Sequence, residues 1–71
     1  MKFLEWLKEF ENVDRPIGDL AKDILSDSDF PKTEDYNELL DYISFKAKRN
    51  ATIVQIFKET YNYYLIDAQS D

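Results

Sequence analysis

Hydrophobic residues recur at helical spacing in four stretches of the chain, and the stretch over residues 14–32 has the clearest limits. Asp14 is a suitable N-cap, and Pro16 fits the first helical turn, where a missing backbone N–H costs nothing. The helix must end before Pro31, because the residue before a proline avoids the helical region. The apolar positions between these limits are Ile17, Leu20, Ala21, Ile24 and Leu25. We therefore predict a helix over residues 15–26 and expect the other elements to pack around it.

Three further apolar stripes predict helices over residues 2–10, from about residue 33 to 47, and from residue 51 to 64 or 65. Thr33 is the expected N-cap of the third helix, and Asn50 either ends that helix or caps the next one. Phe30 is expected to anchor the loop between the second and third helices. The predicted inward-facing residues of the three helices are Phe3, Trp6, Leu7, Phe10, Tyr36, Leu39, Leu40, Ile43, Ile53, Ile56, Phe57, Thr60, Tyr61 and Tyr64.

The four stripes together predict an all-α fold, a compact bundle of four helices. No segment alternates strictly between apolar and polar residues for long enough to indicate a strand. One glycine and two prolines are also too few for a turn-rich β fold. A chain of 71 residues fits one domain, and we expect an ordered core over about residues 2–66 and a frayed polar tail over 67–71.

The composition excludes the commonest catalytic and metal sites. The chain has no histidine and no cysteine, so it lacks the usual general base and the thiolate ligands and nucleophiles. Asp27 and Asp29 resemble the start of a calcium-binding loop, but Pro31 and Lys32 stand where an EF-hand needs an oxygen ligand and a glycine. We expect no catalytic residue, metal ion, cofactor or small-molecule substrate.

The first ten residues, MKFLEWLKEF, carry charges within their apolar run, which is typical of an amphipathic helix rather than a signal peptide. No run approaches the ~18 apolar residues that a membrane span needs. A chain without cysteine suits a reducing compartment. We therefore expect a cytoplasmic protein with no membrane partner.

Charged residues are unevenly distributed along this chain of net charge −6. Residues 19–41 contain eight acids and two bases, whereas residues 42–58 contain four bases and no acid. The acids at helical spacing are Asp19, Asp23 and Asp27 on the second helix and Glu34, Glu38 and Asp41 on the third; the bases are Lys46, Lys48, Arg49 and Lys58. We expect an acidic side and a separate basic corner. They either keep the surface solvated or bind a charged partner, including a second copy in a head-to-tail arrangement.

Three aromatic residues lie off the predicted inward stripes: Tyr42 and Phe45 on the third helix and Tyr63 on the fourth. Two interpretations remain open. The rings form an exposed cluster beside the basic corner, able to stack on bases or anchor a protein, or they bend back to complete a small core.

The chain contains two specific motifs, Pro16-x-Gly18-Asp19-Leu20-Ala21-x-Asp23 and Phe30-Pro31-Lys32 preceded by Asp27. Less specific ones are Tyr36-x-Glu38-Leu39, Asp41-Tyr42-Ile43 and Ile56-Phe57-x-Glu59-x-Tyr61-x-x-Tyr64. With these motifs the chain resembles the YozE family of small bacterial proteins. The family often has Trp where Tyr61 stands, and the segment before Tyr36 is about one residue short. The resemblance implies a SAM-like (sterile alpha motif-like) orthogonal bundle. It implies no catalytic residues, because none is assigned in the family.

These observations favour a non-enzymatic module that acts through protein contacts, with an unknown protein partner or weak self-association. The alternative is nucleic-acid binding through the basic corner, although the negative net charge opposes phosphate contacts. A further alternative, an acidic mimic of DNA, requires the acids to form one continuous face.

Overall fold

The computed structural model describes residues 2–69. It contains the second helix and the long fourth helix that the hydrophobic pattern predicts. Its elements are α1 (Phe3–Leu7), a 3₁₀ turn (Lys8–Phe10), α2 (Pro16–Ser26), α3 (Tyr36–Lys46) and α4 (Ala51–Gln69). Within residues 2–69 there is no β-strand, and the predicted all-α fold of four helices is confirmed. In the same range no helix is long and apolar enough to cross a membrane.

The core is one cluster to which every helix contributes. Its buried hydrophobic residues are Phe3, Trp6, Leu7, Leu20, Ala21, Ile24, Phe30, Leu39, Ile43, Phe57, Tyr61 and Tyr64. All of them except Phe30 were predicted from the stripes, and Phe30 anchors its loop as expected. Ile53 is the exception among the predicted residues, because 38% of its surface is exposed. It lies in the first turn of α4, where the neighbouring helices do not cover it.

Two predicted helix starts are displaced in the structure. Arg15, not Asp14, occupies the N-cap position of α2, and Pro16 is in the first turn as predicted. The third helix begins later than expected, because Asp35 is its N-cap and accepts a hydrogen bond from the Asn37 amide at 2.9 Å. Thr33 caps only a turn before it, where its hydroxyl oxygen accepts from the Asp35 amide at 3.1 Å.

The junction between α3 and α4 is a tight left-handed turn. The Lys48 amide donates to the Phe45 carbonyl and the Arg49 amide to the Ser44 carbonyl, which is the Schellman pattern. Lys48 and Arg49 have φ values of 52° and 60°, a region that glycine occupies more readily. Asn50 then caps α4, since its side-chain oxygen accepts from the Thr52 and Ile53 amides. The N-cap alternative predicted for Asn50 is thus the one observed.

The fourth helix extends beyond its predicted end. Residues 65–69 continue α4, although a frayed tail was expected from Asp67. The indole Nε1–H of Trp6 donates to the Asp67 carboxylate at 2.7 Å, a contact between residues 61 positions apart. The spacing of apolar residues along the chain does not predict a contact between positions so far apart. Residues 70 and 71 of the predicted tail lie outside the described residues.

Candidate interaction surfaces

An open apolar groove, here called the Trp6 groove, lies between the first part of the chain and the C-terminal half of α4. It has a volume of about 530 Å³ and is lined by Trp6, Phe10, Val13, Ile17, Tyr63, Ile66 and Asp67. Residues from α1, the 3₁₀ turn, the following loop and the first turn of α2 form one wall. Residues of α4 form the other.

The floor and the rim of the Trp6 groove differ in exposure. Trp6 is only 3% exposed, and its ring packs against Phe10 with centroids 4.6 Å apart. At the rim, Tyr63 is 64% exposed and Ile66 is 59% exposed. A fixed aromatic floor with large apolar side chains at the rim is the composition found at the centre of protein interfaces.

Gly18 determines how closely α2 approaches the wall of the groove. A Cβ atom at this position would lie 1.8 Å from the Val13 carbonyl oxygen and 3.1 Å from that of Phe10. The Val13 amide in turn donates to the Phe10 carbonyl at 3.0 Å. The backbone that carries two lining residues therefore packs directly on the helix, and only glycine leaves room for it.

The segments that form the Trp6 groove carry more acids than bases. Asp67 lies in its wall, Glu9 and Glu11 flank the lining residue Phe10, and Asp14 follows Val13. Lys8 and Arg15 are the bases in these same segments. Of these acids only Asp67 is a lining residue, and the excess of acids over bases in these segments favours a positively charged ligand.

A smaller groove of about 240 Å³ lies between α2, α3 and the start of α4, and Asp27, Tyr42 and Lys46 form its polar edge. The Tyr42 hydroxyl donates to the Asp27 carboxylate at 2.6 Å, and the Lys46 Nζ lies 3.9 Å from the same oxygen. The Tyr42 hydrogen bond, together with the Asp29 amide, lowers the pKa of Asp27. Burial and the Asp27 carboxylate raise the pKa of Tyr42 to about 12.

This contact corrects the expected separation of charges. Asp27 was assigned to the acidic side and Lys46 to the basic corner, but the packing of α3 against the end of α2 brings them together. Their Coulomb attraction is satisfied within the molecule. All four residues of the predicted basic corner are exposed, and Lys48, Arg49 and Lys58 lie outside this contact.

Glu34 also differs from its predicted position. It precedes α3 instead of lying on it, and its carboxylate accepts hydrogen bonds from the Phe3 amide at 3.3 Å and the Tyr64 hydroxyl at 3.0 Å. Its carbonyl accepts from the Tyr61 hydroxyl at 3.2 Å. Burial, followed by the hydrogen bond to Glu34, raises the pKa of Tyr64 to about 12, and burial also raises that of Tyr61. Glu34 therefore joins α1 to α4.

The other predicted acids are exposed on two helices: Asp19 and Asp23 on α2, and Glu38 and Asp41 on α3. Asp23 lies at the smaller groove. Among residues 2–69, no three acids come close enough together to form a metal site.

The three predicted aromatic residues do not form one cluster. Tyr42 is half-buried against Phe30, with ring centroids 5.4 Å apart, so the interpretation that rings bend back applies to it. Phe45 is 78% exposed at the end of α3, and Tyr63 lies at the Trp6 groove. The place of Ile66 at the Trp6 groove was not predicted, because Ile66 lies just past the predicted end of the fourth helix. Its spacing of three residues from Tyr63 was the available signal.

Comparison with known proteins gives one positive finding. A family model described as the YozE SAM-like fold matches residues 2–66. Searches of curated proteins and of solved structures gave no significant match.

Proposed function

The chain belongs to the YozE SAM-like fold family, and on this premise we propose that it is a non-enzymatic protein-interaction module that binds through the Trp6 groove. The absence of histidine and cysteine supports a non-catalytic role. The absence of cysteine also supports a location in the cytoplasm. The observation that carries the proposal is the exposure of Tyr63 and Ile66 above a buried aromatic floor. Covering these two exposed side chains with a partner is favourable, because it removes apolar surface from water.

The charge around the Trp6 groove specifies the chemistry of the partner. When an apolar side chain of the partner fills the groove, the partner residues next to that side chain come near Asp67 and the flanking acids. Lysine or arginine is favoured at those partner positions. The proposed ligand is therefore a protein segment with one large apolar or aromatic side chain and adjacent basic residues.

The single tryptophan of the chain provides the assay for this proposal. Trp6 fluorescence is followed while a basic amphipathic helical peptide, with Leu and Phe on one face and Lys on the other, is added. A matched peptide with Glu in place of Lys is the control. We expect saturable binding of the basic peptide and at least ~10-fold weaker binding of the acidic one.

Two protein variants locate the binding site in the same assay. Ile66→Lys places a cation at the rim of the groove, and Leu65→Lys places one on the neighbouring residue, which does not line it. Binding lost in Ile66→Lys and retained in Leu65→Lys supports the proposal. Equal binding by the wild type and both variants, or binding by neither peptide, would refute it.

Nucleic-acid binding is the second candidate, and the exposed Lys48, Arg49 and Lys58 are the observation that favours it. Three phosphate contacts predict a slope of about −2.7 for the logarithm of the binding constant of duplex DNA against that of salt concentration. Affinity would then fall about 40-fold between 50 and 200 mM salt. A duplex titration that shows no binding at the lower salt concentration excludes this candidate.

A further inference from the structure

We infer that the Trp6 groove accepts the end of α3 from a second copy of this chain, so that the molecules associate head to tail. This inference rests on the proposed function and names its partner. The inserted surface, here called the Phe45 knob, consists of Phe45, Lys48 and Arg49.

The Phe45 knob has the composition that the groove requires. Phe45 is 78% exposed, the largest exposed fraction among the large hydrophobic residues that the structure describes. Lys48 and Arg49 follow in the left-handed turn and are exposed, and no acid lies between residues 42 and 58. An aromatic side chain is thus presented together with two cations, on a turn whose backbone is held by the Lys48 and Arg49 amide hydrogen bonds.

The two surfaces match in aromatic character and are opposite in charge. The groove is lined by the aromatic rings of Trp6, Phe10 and Tyr63, and aromatic pairs contribute more than their buried area alone. Asp67 in the wall and the acids of the segments that form the groove are opposite in charge to the cations of the knob. Lys46 takes no part in the knob, since it already lies beside Asp27.

The groove and the knob use different parts of the molecule, so one molecule can contact two neighbours. The lining residues of the groove come from α1, the 3₁₀ turn, the loop before α2, α2 and α4, and none comes from α3. The knob belongs to α3 and the turn after it. When one knob enters one groove and the other two surfaces stay open, the contact is heterologous and produces chains or rings larger than a dimer.

Sedimentation of complementary variants tests the inference. Phe45→Ala removes the knob and leaves the groove intact, whereas Ile66→Lys blocks the groove and leaves the knob intact. Leu65→Lys is the control on the same helix, and Tyr63→Lys is a second groove variant if Ile66→Lys fails to fold. Circular dichroism checks that each variant is helical.

We expect the average mass of the wild type to rise beyond that of a dimer as its concentration approaches ~1 mM, the range in which a contact with a Kd of ~1 mM forms. Phe45→Ala and Ile66→Lys each weaken association at least ~10-fold, as loss of a central interface residue does, and Leu65→Lys does not. A mixture of the two variants forms a complex of twice 8.5 kDa and nothing larger, because only one intact interface remains.

Three results would overturn the inference: a wild type that stays monomeric throughout, a symmetric dimer unaffected by either variant, or a variant mixture that stays monomeric. The basic-peptide titration separates this failure from failure of the proposed function. If the peptide binds the groove while the wild type does not associate, only self-association is refuted. If neither occurs, the groove is not a protein-binding surface.

Discussion

Replacing Gly18 with alanine is expected to destabilise the protein, although the same change in an exposed helix is stabilising. Alanine gains about 1 kcal/mol over glycine within a helix. Its Cβ would lie 1.8 Å from the Val13 carbonyl oxygen, so the two backbones must separate by more than ~1 Å to reach van der Waals contact. Overpacking of this kind costs up to about 3 kcal/mol. The expected net loss is about 2 kcal/mol, a large part of the ~3–5 kcal/mol available to such a small core.

Thermal and urea denaturation followed by circular dichroism measure this loss. A change of 2 kcal/mol corresponds to a melting temperature about 10 °C lower for a domain of this size. Lys22→Ala, at an exposed position of the same helix, is the control and should shift stability by less than ~0.5 kcal/mol. If Gly18→Ala melts at or above the wild-type temperature, the close approach of α2 to residues 10–13 is not required, and the geometry of the groove wall does not depend on it.

Three further substitutions or conditions test other contacts. Lys48→Gly should raise the free energy of unfolding by about 0.5–1 kcal/mol in urea denaturation, because its φ of 52° suits glycine; a lower midpoint would contradict this. Trp6→Phe removes the hydrogen-bond donor to Asp67. The amide hydrogens of the last turn of α4 should then exchange with solvent about 5-fold faster, which corresponds to a hydrogen bond of ~1 kcal/mol. Unchanged exchange rates would show that this bond does not hold the C-terminal end of α4. The melting temperature should fall from pH 10 to 12, because folding raises the pKa of Tyr42 and Tyr64 to about 12 and the unfolded chain loses those protons first. Tyr64→Phe should show a smaller fall, and an equal one would exclude its contribution.

Local patterns were sufficient for the helices and most of the core. Burial of Leu20, Ile24 and Phe57 follows from their spacing alone, because any compact helical arrangement of this chain must cover those stripes. The displaced start of α3 has a tertiary cause. Thr33 and Asp35 are both residue types that cap helices well. The contacts of Glu34 with α1 and α4 keep the chain extended up to Asp35, so Asp35 becomes the N-cap.

The candidate surfaces were harder to predict, since they depend on which helices meet. The contact of Lys46 with Asp27 requires the end of α2 to lie beside α3. The Trp6 groove combines residues about 50 positions apart, and its rim residue Ile66 lies just past the predicted end of the fourth helix. The sequence did identify Phe45 and Tyr63 as aromatic residues off the inward stripes, and these are the two that stay exposed.

An intermolecular nuclear Overhauser experiment tests whether the Phe45 knob docks in the Trp6 groove of a second molecule. Isotope-labelled and unlabelled wild-type protein are mixed at a concentration at which the chain associates, and only contacts between different molecules are recorded. We predict contacts from the Phe45 ring to the Ile66 and Ile17 methyl groups and to the Trp6 indole. Intermolecular contacts that omit the Trp6 groove, or none at all, would contradict head-to-tail docking of the Phe45 knob.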